Sequence, residues 1–436
     1  MCTALVRAAL MCASIALAAL SSVPANADLP RHHKVVTLHP LSTEHGYFTE
    51  DDVPLFPRFS GFGAAVAIRN GTAFVGIPRG DPDSRVAVYD LTASGWLRTA
   101  TLKVPDALVD GRNGFGRRIV FRDNLAVIAS YTFLHVFKRV NGVWTDIQKL
   151  APPQGGPGAF FEIGAMRFEN GILLVGVNFP EDIVHLYELA SSGQLVQRAT
   201  LRPSESNSVF GMDVAVAGNL AVIGAGGAAF LFRRRSDGTW VQTQMLIGAD
   251  TSPVHSFGGA VAIDRGLIIV GAPDHDCLES EGSGGGFCPS SPGPQGPDGT
   301  GSGGAAYGFT SVAGQYVQVF KLRPRADEHA NYFSFGRRIA MMGNYIVIDA
   351  AEQVAGGDGI FEPGGVPNGL SFTYRRDGST VTALGLTSGY VASDSMGLAN
   401  NWLLVGSSRD HQHGCLSVKE FCLGEGNLFD LNRFER

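Results

Sequence analysis

Short apolar runs broken by small turns dominate the chain, and one stretch shows the pattern most clearly. Phe257 to Pro273 reads FGGAVAIDRGLIIVGAP, with one run over Ala260-Val261-Ala262-Ile263, a turn at Arg265-Gly266, and a second run from Leu267 to Val270. Gly271-Ala272-Pro273 ends it. Apolar, β-branched runs this short around a glycine turn predict an antiparallel hairpin, because neither is long enough for a helix. The chain carries seven copies. Counted from the Gly of each Phe-Gly to the end of the second run, Gly63 to Gly76, Gly116 to Ala129, Gly211 to Gly224, Gly258 to Gly271 and Gly336 to Asp349 are all 13 residues apart. Ile163 to Gly176 and Ser393 to Gly406 keep that spacing but have lost Phe-Gly.

Each hairpin is followed by a third run that is aromatic and alternating, such as Val86-Ala87-Val88-Tyr89, Leu134-His135-Val136-Phe137 and Phe230-Leu231-Phe232. A fourth run ends in leucine: Thr101-Leu102, Lys149-Leu150, Thr200-Leu201, Met245-Leu246, Lys321-Leu322. Four antiparallel strands repeated at a base period of 47 or 48 residues predict propeller blades. The seventh unit runs out of chain after its third strand. A spare fourth strand stands at the other end, His33-Lys34-Val35-Val36-Thr37-Leu38, and is expected to complete the last blade and remove an open sheet edge.

The Phe-Gly…Gly-Ala-Pro unit resembles the FG-GAP repeat of integrin α subunits and of many exported bacterial proteins. That resemblance implies an all-β, seven-bladed β-propeller of four-stranded antiparallel blades. It rests on Phe62, Gly63, Phe115, Gly116, Phe210, Gly211, Phe257, Gly258, Phe335 and Gly336, and is weak in the third and seventh copies. Phe is expected to supply apolar area between blades, Gly to relieve crowding where the chain enters the inner strand, and Pro to end a ladder it cannot donate to. The integrin repeats bind calcium through an Asp-x-Asp-x-Asp-Gly loop between first and second strands. Here those turns are as short as Arg69-Asn70-Gly71 and Asp123-Asn124, so that chemistry does not carry over.

Composition changes this picture in two places. Residues 1–27 hold a single charge, Arg7, an apolar stretch from Ala8 to Leu20, and the small-x-small site Ala25-Asn26-Ala27, which read as a signal peptide. Residues 28–436 then form one propeller domain, with 28–58 as closing strand and long link and 59–436 as the seven repeats. The expected location is secreted or periplasmic, with no transmembrane segment. Gly is 57 of 436 residues, nearly twice the usual share of about 7%, as short strands and tight turns require. A formal charge of −6 gives no reason to expect nucleic acid as a partner. The expected state is a monomer.

The period is broken unevenly. Long excesses fall between second and third strands after Gly271, Asp349 and Gly406, and between Leu38 and Phe62. In an up-and-down blade those connections all emerge on one side of the disc, which makes that side the expected binding face for a protein or glycan. Two polar clusters lie there: Asp274, His275 and Asp276 beside Cys277, and Asp410, His411 and His413 near Cys415. Imidazole and carboxylate suit a divalent metal, and they equally suit solvated loops. No cofactor and no metal ligand set is assigned. Cys277, Cys288, Cys415 and Cys422 are an even number in an exported chain, which suggests two disulfides. No serine elbow, phosphate loop or His-Glu-x-x-His is present, so no catalytic residue is named. The alternatives to a binding module are a polysaccharide-acting enzyme using the same His and Asp clusters, and a structural envelope or matrix protein. Arg117-Arg118 and Arg337-Arg338 are expected to form ion pairs between blades, and Arg233-Arg234-Arg235 to be solvated.

Overall fold

The computed structural model describes residues 32–38, 61–78, 84–105, 114–151, 162–179, 182–205, 209–252, 255–275, 303–323, 331–353, 368–378, 380–391, 395–399, 402–407 and 425–434. Residues 1–27, read from sequence as a signal peptide, and Cys277, Cys288, Cys415, Cys422, Asp276, Asp410, His411 and His413 lie outside these residues. The described chain forms seven antiparallel sheets. Blade one is Val66–Arg69, Thr72–Ile77, Arg85–Thr92 and Gly95–Leu102, and blade two is Arg118–Arg122, Leu125–Ala129, Leu134–Val140 and Val143–Leu150. Blade three is Glu162–Glu169, Ile172–Phe179, Ile183–Leu189 and Leu195–Leu201, and blade four is Val214–Ala217, Leu220–Ala225, Ala228–Arg234 and Trp240–Leu246. Blade five is Ala260–Asp264, Leu267–Ala272, Ala305–Val312 and Gln315–Leu322. Blade six is Ile339–Met342, Tyr345–Gln353, Asn368–Asp377 and Thr380–Val391, and blade seven begins Ser395–Ala399, Trp402–Ser407 and Glu425–Phe434. His32–Leu38 holds the outermost place of blade seven, antiparallel to Glu425–Phe434, with Leu38 opposite Gly426 and Val36 opposite Leu428.

In all seven blades the inner strand passes to the second through two residues. Asn70-Gly71 shows why: both residues have positive φ, 48° and 73°, so the turn's twist matches that of the strands it joins. Blade six departs from the four-strand rule. Its second strand outruns the inner one, and an extra strand, Asn331–Phe333, pairs with the overhang at Ala351, Glu352 and Gln353. No helix among the described residues is long and apolar enough to cross a membrane.

The core is divided into seven apolar clusters, one at each seam between neighbouring blades. Phe62, Phe115, Phe210, Phe257 and Phe335 are fully buried in them. Each packs against the previous blade, as Phe257 does against Val222 and Leu231, and meets its own third strand edge-on, as at Tyr307, 5.5 Å away. Among the described residues the sparsest cluster lies between blades six and seven.

The glycines divide the labour across the seams. A Cβ placed on Gly76, Gly176, Gly224, Gly271 or Gly406 would lie 2.0, 2.0, 2.0, 1.9 or 2.3 Å from the carbonyl oxygen of Gly116, Gly211, Gly258, Gly336 or Gly63. The glycine ending one blade's second strand therefore lies against the Phe-Gly glycine of the next blade. At the two remaining seams both members are replaced together: Ala129 precedes a blade that has Ile163 for Gly, and Asp349 precedes one that has Ser393. Loss of the close approach at one position removes the need for it at the other.

Polar side chains also cross the seams. Gln148 donates to the Leu195 carbonyl and accepts from its N–H, both at 2.8 Å, and Gln244 holds Tyr316 the same way at 2.7 and 2.9 Å. Arg139 grips Asp90 with two hydrogen bonds of 3.0 and 2.8 Å. Arg234 is not the solvated residue expected of the triplet: it pairs with Glu188 of blade three at 2.6 Å.

Candidate functional site

Seven inner strands around an axis leave a channel whose wall is their unpaired edges, so the backbone groups there need partners. Side chains supply several of them, most across a seam to the next blade. Arg118 Nε donates to the Gly164 carbonyl at 3.2 Å, and Ser395 Oγ to the Gly63 carbonyl at 3.1 Å. Asp264 accepts from the Gly343 N–H at 2.6 Å, and Asp213 accepts from Val261 N–H at 2.8 Å and from its own neighbour Val214 at 2.9 Å.

Toward the face on which the long connections emerge, the channel widens into a cavity of about 500 Å³. Its charged lining is Arg118, Arg167, Arg337 and Arg338 against Asp213 and Asp274. Just behind it Asp349, fully buried, accepts from Arg337 Nε at 3.0 Å and Ser371 Oγ at 3.1 Å, with Arg338 at 3.9 Å. The pairing of Arg337 and Arg338, expected between blades, lies instead within blade six, with an Asp standing where five blades keep glycine. Arg117 lies over the Tyr131 ring instead, 4.9 Å from its centroid.

Burial pushes the Asp213 carboxyl up to about 6, against the two backbone N–H groups and the Arg167 and Arg338 charges that favour its ionised form. The folded state therefore binds this proton more tightly than the unfolded chain, whose Asp titrates near 3.9. The associated stability is fully present below about pH 4 and lost as pH rises through about 6. Asp213→Asn removes that titration. Its unfolding free energy relative to wild type is expected to rise between pH 4 and pH 8 by about 2–3 kcal/mol, and a pH-independent difference in urea melts would contradict it.

Of the candidates named from sequence, Asp274 and His275 are described. Asp274 lines the cavity, accepts a short hydrogen bond from Ser256 Oγ, and has its carboxyl pushed up by burial. His275 is 4% exposed and so is not a solvated loop residue. Its ring nitrogens face Lys321 Nζ at 3.0 Å and Arg323 at 3.1 Å, and its ring lies 4.7 Å from that of His255. Lys321 also bonds Asp250 at 2.6 Å, and the Tyr307 hydroxyl does so at 2.8 Å. Partial burial opposes ionisation of Asp250, but these two donors outweigh it and hold its pKa down at about 2. The His275 carbonyl accepts from Gly304 N–H at 2.9 Å, which pins both ends of the longest insertion. Among the described residues no group of three His, Cys, Asp or Glu side chains could hold a metal.

Arg167, Asp213 and Asp349 were not singled out from the sequence. The signal that finds them is departure from the repeat: Asp213 stands where Ala65, Ala165 and Ala260 stand in other blades, Asp349 where five blades have glycine, and Arg167 where four blades have alanine.

The FG-GAP repeat family matches residues 240–286, the stretch that contains the Phe257–Pro273 hairpin. The chain is a seven-bladed β-propeller with an FG-GAP repeat match that takes in the hairpin of its fifth blade. Among solved structures the propeller is similar to a protein from Lactobacillus plantarum, 13% identical over 76% of this chain and 86% of that one, with a TM-score of 0.50. It is also similar to the computationally designed Ika8 protein (14% identity, 85% and 96% coverage, TM-score 0.43) and to Kluyveromyces lactis Hsv2 (12%, 80% and 95%, 0.44). At its identity the first of these likenesses speaks for the fold alone. A comparison with curated proteins finds no match.

Proposed function

We propose that this propeller is an exported binding module that takes a protein or glycan partner on one face of the disc. The one-sidedness of the ring carries this reading. On one face every inner-to-second connection is a two-residue turn, and the third-to-fourth connections run from two to five residues. On the other, the connections span 273–304, 354–367, 408–424 and 39–65. Neutral lengthening of loops would fall on both faces, whereas a partner site needs variable, exposed chain on one. The channel's charged cavity opens among these same connections.

The test is a screen of the purified protein against glycans and extracellular proteins for saturable binding. It is followed by separate replacement of 277–302, 355–366 and 409–423 with short Gly-Ser links. Because His275 and Gly304 close the base of the first insertion themselves, that replacement is expected to leave the unfolding midpoint unchanged. At least one replacement is expected to abolish capture. Absence of any saturable partner, or full capture by all three variants, overturns the reading.

A further inference from the structure

Arg167 sits in the inner strand of blade three, Glu162–Glu169, between the upper cavity and a second one of about 400 Å³ beneath it, and lines both. It occupies a position where blades one, four, five and six carry Ala67, Ala215, Ala262 and Ala340. The substitution places a long cationic side chain at the waist of a channel otherwise walled there by small residues. Among the described residues its guanidinium makes no hydrogen bond and no ion pair, although Arg118, Arg337 and Arg338 all do. Asp213 and Asp264 act on it only at longer range, each already engaged by a backbone N–H of the next blade. Arg167 is half-buried where it lines the two cavities, and burial pulls its pKa down.

A half-buried guanidinium that faces a cavity with five donors and no protein acceptor can engage a ligand without breaking a contact of the fold. Three more arginines line the cavity above it. Against these four stand Asp213, Asp274 and, behind the wall, Asp349. The balance at the mouth is cationic in a chain whose formal charge is −6. The planar fork of arginine matches a carboxylate bidentately, and the cavity volume lies within the roughly 300–1,000 Å³ range of small-molecule pockets.

We propose that the channel is a binding site for a small carboxylic acid of monosaccharide size, a uronate, with its acid group on Arg167 and its body in the cavity above. This rests on the partner-binding reading only in placing the site's mouth on the same face, and it deepens that reading by naming the acidic class of ligand. A carboxylate at the tip of a protein partner is the competing source.

The experiment titrates sodium glucuronate, glucose and sodium sulfate into wild type, Arg167→Gln and Arg167→Lys at constant ionic strength and pH 7.5, by calorimetry and by thermal unfolding. Glucuronate is expected to bind wild type saturably and raise its midpoint, with glucose and sulfate doing neither. Arg167→Gln is expected to weaken glucuronate at least tenfold while its own unliganded midpoint holds or rises, and Arg167→Lys to retain part of the binding. A merely structural arginine would give the reverse, a lower midpoint with glucuronate binding intact, and that result overturns the proposal. Equal response to sulfate overturns the carboxylate assignment, and response only to a peptide ending in Asp, run as a further arm, assigns the site to a protein partner and overturns the uronate. Uronate binding without any captured macromolecule would sink the partner-face reading alone. Capture undiminished in Arg167→Gln together with absence of uronate binding would sink this inference alone.

Discussion

Gly271→Ala is expected to destabilise the propeller by about 3–4 kcal/mol, at the upper end of what overpacking does to a core. Its Cβ would lie 1.9 Å from the Gly336 carbonyl oxygen and 2.9 Å from the Gly336 carbonyl carbon, and both contacts are backbone. No rotamer change relieves such a clash. Relief requires blades five and six to separate, which loosens Phe335 against Ile269 and Ala306 along the whole seam. Gly314→Ala is the control. Gly314 has a φ of 86° and nothing within 4 Å of an added Cβ, so only backbone strain of about 1–2 kcal/mol is expected. Urea unfolding of the two variants separates steric from conformational cost, and equal losses would refute the seam argument. The reciprocal change, Ala129→Gly, adds no compensating contact, because blade three offers Ile163 and not a Phe-Gly glycine at that seam.

Removal of residues 32–38 is expected to cost about 3–5 kcal/mol and to make the protein prone to associate. Leu38 is 4% exposed and belongs to the cluster that joins blades seven and one, with Phe62, Leu404 and Leu428, so its loss alone forfeits about 1.5–3 kcal/mol. The ladder to Glu425–Phe434 adds backbone hydrogen bonds worth about 0.5–1.5 kcal/mol net apiece. The truncation also turns Glu425–Phe434 into an open edge ten residues long, a template for pairing with another chain. Thermal unfolding and light scattering at several concentrations measure both effects. An unchanged midpoint with no scattering would show that the ring does not depend on this strand.

Much of this fold was legible because it is said seven times. A single Phe-Gly or a single apolar pair is a weak sign, but recurrence at 13 residues within a blade leaves few alternatives. The worn copies were legible as copies, while the cause of their wear was not. Ile163 and Ser393 follow Ala129 and Asp349 in the ring, a relation visible only when each seam is read as a pair of positions, here 34 and 44 residues apart. The candidate site was less legible still. His275, which reads as a loop residue, is buried between Lys321 and Arg323, because the insertion begins by folding back over its own blade. Arg167 lies within the worn third copy, where an arginine in a half-apolar strand reads as an ordinary exposed position.

By itself the sequence determined the strands, their antiparallel order within a blade, and the number of blades. Those follow from local chemistry, in two-residue turns, alternating apolar positions and prolines that stop a ladder, each acting over a few residues. Only the tertiary structure decided which glycine meets which carbonyl, and which side chains stand together at the axis. Arg118, Arg167, Asp213, Asp274, Arg337 and Arg338 come from five different blades and share no local pattern. They become neighbours because a twisted sheet, repeated and packed face to face, curves until it closes, and closure turns seven separate strand edges into one wall.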